Sequence, residues 1–125
     1  MNDERLEKII YNTIGAMIEV HKQLGPGFLE NIYHRALEIE LACRCIGFES
    51  EKELNLQYKG STIGIHRLDI LVEQQLIVEL KTVDTMSKKH YAQVRSYLKA
   101  THLNVALLVN FSDYTLDPRR VNLEE

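Results

Sequence analysis

Arg67-Leu68-Asp69-Ile70-Leu71-Val72-Glu73-Gln74-Gln75-Leu76-Ile77-Val78-Glu79-Leu80-Lys81 is the stretch that decides the fold. Two extended segments, 63–72 and 76–81, flank the polar turn Glu73-Gln74-Gln75. Side chains alternate along a strand, so Glu79 and Lys81 are expected on one face with Ile77. The same rule puts Asp69 with Ile63, Ile65, Arg67 and Leu71. Paired as a hairpin, the segments bring two carboxylates and an ammonium together beside an apolar sheet. The run LIVEL has the composition of a buried strand. A charge placed there is costly unless it is paired or holds a metal. The plain alternative is a buried ion pair, Glu79–Lys81 or Asp69–Arg67.

Upstream, helical spacing of Leu6, Ile9, Ile10, Thr13, Met17, Val20 and Leu24 predicts a first helix from Asp3 to His21. Asn2 or Asp3 can cap it. Gly25-Pro26-Gly27 breaks the chain. A second helix is expected over 28–45, with Leu29, Ile32, Tyr33, Ala36, Leu37, Glu40 and Leu41 as its stripe and Gly47 as its C-terminal cap. Cys43 and Cys45 read as reduced thiols, at least one of them packed in the core. Glu30 lies in the first turn, on one side with Tyr33. It either complements the helix dipole or reaches a cation shared with the strand acids. Residues 49–58 alternate as a strand, and Lys59-Gly60 reads as a hairpin turn into the next.

Downstream, Thr85 and Ser87 are candidate caps for a third helix over 88–100. Tyr91, Val94 and Leu98 form its apolar stripe, and His90, Gln93 and Tyr97 a polar-aromatic one. Lys88, Arg95 and Lys99 form a basic row that is either a solvated face or a contact for a polyanion. The run LNVALLV, 103–109, suggests a strand covered on both faces, parallel to the Glu79 strand after a helical crossover. The tail from Ser112 is an extra strand or a loose end. The reading is an α/β (α+β) fold in the order α-α-β-β-β-α-β, with one mixed central sheet flanked by helices. It is a single domain, 1–125, divided into an N-terminal helix (1–24), a core (25–111) and a tail (112–125).

The chain has 125 residues, 45% hydrophobic and 26% charged, and a formal charge of −3. This fits a soluble domain with a real core and argues against whole-surface nucleic-acid binding, though not against a local basic strip. No apolar run approaches a membrane span, and the charged start MNDERLEKII is unlike a signal peptide, so a cytoplasmic location without membrane contact is expected.

Hard divalent ions take oxygen ligands, with water or phosphate completing the octahedron. Asp69 and Glu79 can supply two, the Leu80 carbonyl a third, and Glu30 can assist or bind a second ion. Lys81 can orient or deprotonate water, or stabilise charge on a phosphate. Gln93 can position the nucleophile.

Asp69, then Glu79-x-Lys81 ten positions on, then a helix carrying Gln93, resembles the core of the PD-(D/E)XK nuclease superfamily. Gly27-Phe28-Leu29-Glu30-Asn31-Ile32-Tyr33 also reads as G-x-x-E-x-x-Y, the signature of the GxxExxY family within it. The resemblance runs from about Ile9 to Val121 and includes His90-x-x-Gln93. It implies a restriction-endonuclease-like core and Mg²⁺-dependent (or Mn²⁺-dependent) hydrolysis of nucleic acid. Glu30 would be the helical acid, Asp69 the strand acid, Glu79 and Lys81 the E-x-K pair, and Gln93 the helical glutamine. Leu68 stands where the name motif has proline. Some members of the superfamily bind without cutting, so the alternative is a non-catalytic module for nucleic acid or protein. A homodimer is expected, because so small a domain would need a second copy to grip a duplex.

Overall fold

Helical periodicity and strand alternation resolve into α1 (Asp3–Leu24), α2 (Glu30–Cys43), β1 (Phe48–Tyr58), β2 (Ser61–Val72), β3 (Leu76–Lys81), α3 (Lys88–Thr101), β4 (Val105–Asn110) and β5 (Arg119–Asn122). The structure, a computed structural model, describes residues 3–123. The five strands form one sheet in the order β1-β2-β3-β4-β5. The first three make the expected antiparallel meander, β3 and β4 run parallel, and β5 returns antiparallel to β4. The tail is therefore a strand, anchored by buried Val121. α1 and α2 cover one face, packing Met17, Tyr33, Leu37 and Leu41 against Ile70, Val78, Leu80 and Leu107. α3 covers the other, with Val94, Tyr97 and Leu98 against Leu71, Ile77 and Leu108. β4 is buried along its whole length, as its unbroken apolar run requires.

Several expected boundaries move, each for a local reason. α1 continues past His21 to Leu24, where Gly25 (φ +68°) turns the chain and donates its N–H to the His21 carbonyl. The proposed cap Asn2 lies outside the described residues, as does the Asp3 side chain. α2 begins at Glu30 rather than Phe28, because Gly27 (φ +117°) and extended Leu29 hold the chain out of the helix. Leu29 and Ile32, expected in the core, are 75% and 42% exposed, and Tyr33, Leu37 and Leu41 carry the buried stripe. Gly47 is not the cap. Cys45 takes the left-handed position (φ +58°), with Ile46 N–H on the Leu41 carbonyl and Cys45 N–H on that of Ala42, a Schellman closure. Both cysteines are consequently exposed, and neither packs in the core.

The turn between β2 and β3 has two non-glycine residues at positive φ, Glu73 (+51°) and Gln74 (+60°), closed by Gln75 N–H on the Val72 carbonyl. Both are held from the side. Glu73 exchanges two hydrogen bonds with the Gly47 backbone, and Gln74 donates to Glu49.

The largest departure from simple alternation lies in β1 and β2. Phe48, Ile70 and Val72 pack on the α1/α2 side, whereas Leu54 and Leu68 pack on the α3 side. Residues an even number apart have thus exchanged faces. Both strands do so between the pairs Ser50↔Ile70 and Lys52↔Leu68, which stay in register. The residues between them are Glu51, at φ +51°, and Asp69. Asp69 therefore does not share a face with both Arg67 and Leu71, as a regular strand would require. Beyond this level β2 has no β3 partner, and the β1–β2 hairpin runs on as an arm.

Candidate active site

The β2–β3 ladder stops at Ile70↔Val78. The next pair would be Asp69 and Glu79, and there the side chains replace the ladder. Asp69 N–H donates to Glu79 Oε1 (3.0 Å), and Leu80 N–H donates to Asp69 Oδ2 (2.8 Å). Each acid thus clasps the other's strand across the opening notch. One oxygen of each carboxylate is used, while Asp69 Oδ1 and Glu79 Oε2 take no hydrogen bond from the described residues. Leu80 N–H points into the notch, and its carbonyl faces the same way by strand geometry. Glu79 is 4% exposed. Lys81, two residues on, donates to Gln93 Oε1 of α3 (3.2 Å). Neither ion pair of the plain alternative forms. Lys81 bonds Gln93, and Arg67 approaches Glu53 and Glu51 (3.5 and 3.8 Å).

Glu30 arrives from the opposite face on a built support. Tyr33, fully buried and stacked on Phe111 (4.8 Å between centroids), donates its hydroxyl to the Gly25 carbonyl (2.5 Å) and accepts Phe28 N–H (3.1 Å). Gly27 supplies the left-handed turn that no side chain adopts easily. The spacing Gly27-x-x-Glu30-x-x-Tyr33 is therefore a device that fixes where α2 starts and which way Glu30 points.

The acids influence one another. Burial, and then the neighbouring Asp69 carboxylate, raise Glu30 above the usual range. Burial raises Asp69, against the pull of the Leu80 N–H, His34 and Lys81. Burial and then Asp69 push Glu79 up to about 8. Tyr97 is raised by burial and then by Glu79 and Asp69, which places its phenol beside the acids. Three carboxylates facing one lysine leave the site short of positive charge, and a divalent cation would supply it. Among the described residues no three His, Cys, Asp or Glu side chains already enclose one point. Mg²⁺ needs no such cage, being held through one or two carboxylates with water or phosphate in the remaining positions. The donor set fits such an ion.

Two histidines join this constellation unannounced by any spacing of the strand acids. His34, one turn after Glu30, sits 3.3 Å from Glu38 and 3.5 Å from Ser50. Its i+4 relation to Glu30 was the available signal. His66 of β2 bonds the Tyr97 hydroxyl through Nε2. His90 is occupied in capping, its Nδ1 accepting Ser87 N–H (3.0 Å). The basic row lies along α3. Lys88 and Lys99 are exposed, Arg95 is half-buried, and Lys99 lines a cleft of about 470 Å³ with Asn55, Gln57 and His102. Arg119 and Arg120 are engaged by Asp117 (2.8 Å) and Glu7 (2.7 Å).

A family model described as the PD-(D/E)XK nuclease superfamily matches residues 7–121. The chain belongs to the PD-(D/E)XK nuclease superfamily. The spacing of Asp69 and Glu79-Leu80-Lys81 is compatible with the name motif, with Leu68 in place of proline. The crystal structure of SSO0001 is similar, with a TM-score of 0.56 at 20% identity over 74% of this chain, a likeness of fold. The chain spans about half of SSO0001, 48% of its length. No curated protein matches. Among the described residues of this PD-(D/E)XK domain, no helix is long and apolar enough to cross a membrane.

Proposed function

We propose that this PD-(D/E)XK domain is a nuclease-like phosphodiesterase that hydrolyses nucleic acid with Mg²⁺, or Mn²⁺ in its place. The observation that carries the reading is the reciprocal clasp of Asp69 and Glu79, each leaving one oxygen free in a notch also faced by Lys81. Asp69, Glu79, Glu30 and the Leu80 carbonyl would hold the ion, which when bound supplies Lewis acidity and an activated water. Lys81, held by Gln93, would take the water's proton or stabilise charge on the phosphate. Gly27 and Tyr33 would serve by aiming Glu30, which supports placing the chain in the GxxExxY family. Lys88, Arg95 and Lys99 would meet the backbone of the substrate. A homodimer would give so small a domain a second grip on its substrate, and light scattering tests it.

The test is calorimetric titration of Mg²⁺ and Mn²⁺ with cleavage assays on the parent and on Asp69→Ala. Saturable ion binding and cleavage, both lost in a variant of unchanged far-ultraviolet dichroism, are expected. Undiminished cleavage by Asp69→Ala would sink the assignment. Salt-sensitive nucleic-acid binding that survives Asp69→Ala, with no turnover in either protein, would favour a non-catalytic module.

A further inference from the structure

Phe28, Leu29 and Ile32 are 48%, 75% and 42% exposed, and they surround the start of α2 on either side of Glu30. A helix stripe of these residues would belong in the core, yet the left-handed turn at Gly27 holds them out. They are not loosely displayed. Phe28 N–H is bound to the Tyr33 hydroxyl, and its ring meets the Tyr33 ring edge-on (6.1 Å, 73°). That hydroxyl also fastens the Gly25 carbonyl, and Tyr33 is stacked in the core on Phe111. The result is a rigid apolar tip one residue from a candidate metal acid.

We propose that Phe28 and Leu29 form a stacking platform for an unpaired nucleobase next to the cleaved phosphate, so that the substrate is single-stranded or locally unpaired nucleic acid; this rests on the nuclease reading above. Several features favour a base as the occupant. The tip directly precedes Glu30 at the start of α2, so a base lying on it would adjoin one of the acids that would hold the ion. The chain carries 18 acidic against 15 basic residues, which limits how much grip the phosphates alone can give. Stacking on aromatic side chains is the recurrent alternative for single strands, and a base within a continuous duplex has no free face to offer. Three side chains are also far short of the roughly 800 Å² per partner of a standard protein interface. A ring already fixed in place loses little freedom on binding.

The chain contains no tryptophan, so Phe28→Trp installs the sole tryptophan, on the platform, where it can be excited apart from the six tyrosines. The experiment titrates Phe28→Trp with a single-stranded oligonucleotide and with its duplex, in Ca²⁺ to slow turnover, following tryptophan emission and the anisotropy of a labelled strand. A companion variant, Phe28→Ser with Leu29→Ser, should fold normally, since both positions are exposed. Saturable quenching by the single strand is expected, with a loss of about tenfold or more in single-strand affinity for the double serine variant and less than twofold for the duplex. Anisotropy that reports binding while emission stays unchanged would overturn the platform, as would serine substitution that leaves both affinities intact. A change of oligomeric state with unchanged affinity would reassign the tip to self-association. In each of those cases cleavage abolished by Asp69→Ala would leave the nuclease reading standing, whereas a parent protein that neither binds nor cuts any strand would end both.

Discussion

Glu79 is buried, acidic and set against two more acids, and its protonation is linked to stability. Its folded pKa, about 8, lies above its ordinary value near 4.5. Between those values the folded state holds a proton that the unfolded state has released, so stability falls as pH rises through that window. Denaturation without metal should therefore show a parent protein losing stability from pH 5 to pH 8, with a flatter profile for Glu79→Gln. Identical slopes would mean that Glu79 ionises freely in the fold. Lys81 allows a second test. Lys81→Met should leave calorimetric ion binding in place and lower the cleavage rate about a hundredfold or more, the scale of a positioned proton-transfer group. Loss of ion binding together with rate would instead make Lys81 an electrostatic support of the acids. That Asp69, Glu79 and Lys81 come together was legible in the sequence because a strand of LIVEL composition has no ordinary use for charge, and Gln93 was legible in the polar-aromatic stripe of α3. His34 and His66 were not. Their partners Ser50 and Tyr97 lie 16 and 31 residues away, and only the fold brings them together.

Among the elements, α2 was read as too long at both ends, and the residues responsible make predictions of their own. Cys45 carries a side chain in the left-handed region that a glycine would occupy without strain. Cys45→Gly should stabilise the protein by about 1 kcal/mol in urea denaturation. A loss would show that the Cys45 side chain contributes more than the conformation costs. At the other end, Tyr33→Phe removes the hydroxyl that serves both Gly25 and Phe28. It should cost about 1–2 kcal/mol, with weaker metal binding as Glu30 loosens. A stable variant with weakened ion binding would separate aiming from folding; no change in either would contradict the support described for Glu30. The helix itself was legible from periodicity. Its boundaries were not, because φ at Gly27 and Cys45 depends on tertiary contacts as much as on residue type.

For the molecule as a whole, the meander, the crossover and the parallel central pair followed from alternation, turn residues and the bare apolar run of β4. The tail was the ambiguous part, since RRVN is too short to declare itself as a strand until β4 offers an edge. That strand should matter. A chain ending at Thr115 would expose the Val105–Leu108 edge of β4 and the contacts of Val121, and light scattering should find it forming larger species than the parent does. A monomeric truncated protein would show that the edge needs no cover. The joint reversal of β1 and β2 at Glu51 and Asp69 has its effect at this scale too. Because both strands turn over at one level, the hairpin beyond it can gain or lose residues in matched pairs without moving the acids. The register shift between Leu56 and Gln57 shows that even an unmatched residue is absorbed out there. The reach of the hairpin arm is thereby separable from the placement of the acids: the residues beyond Glu51 set the first, and the level of Asp69 sets the second.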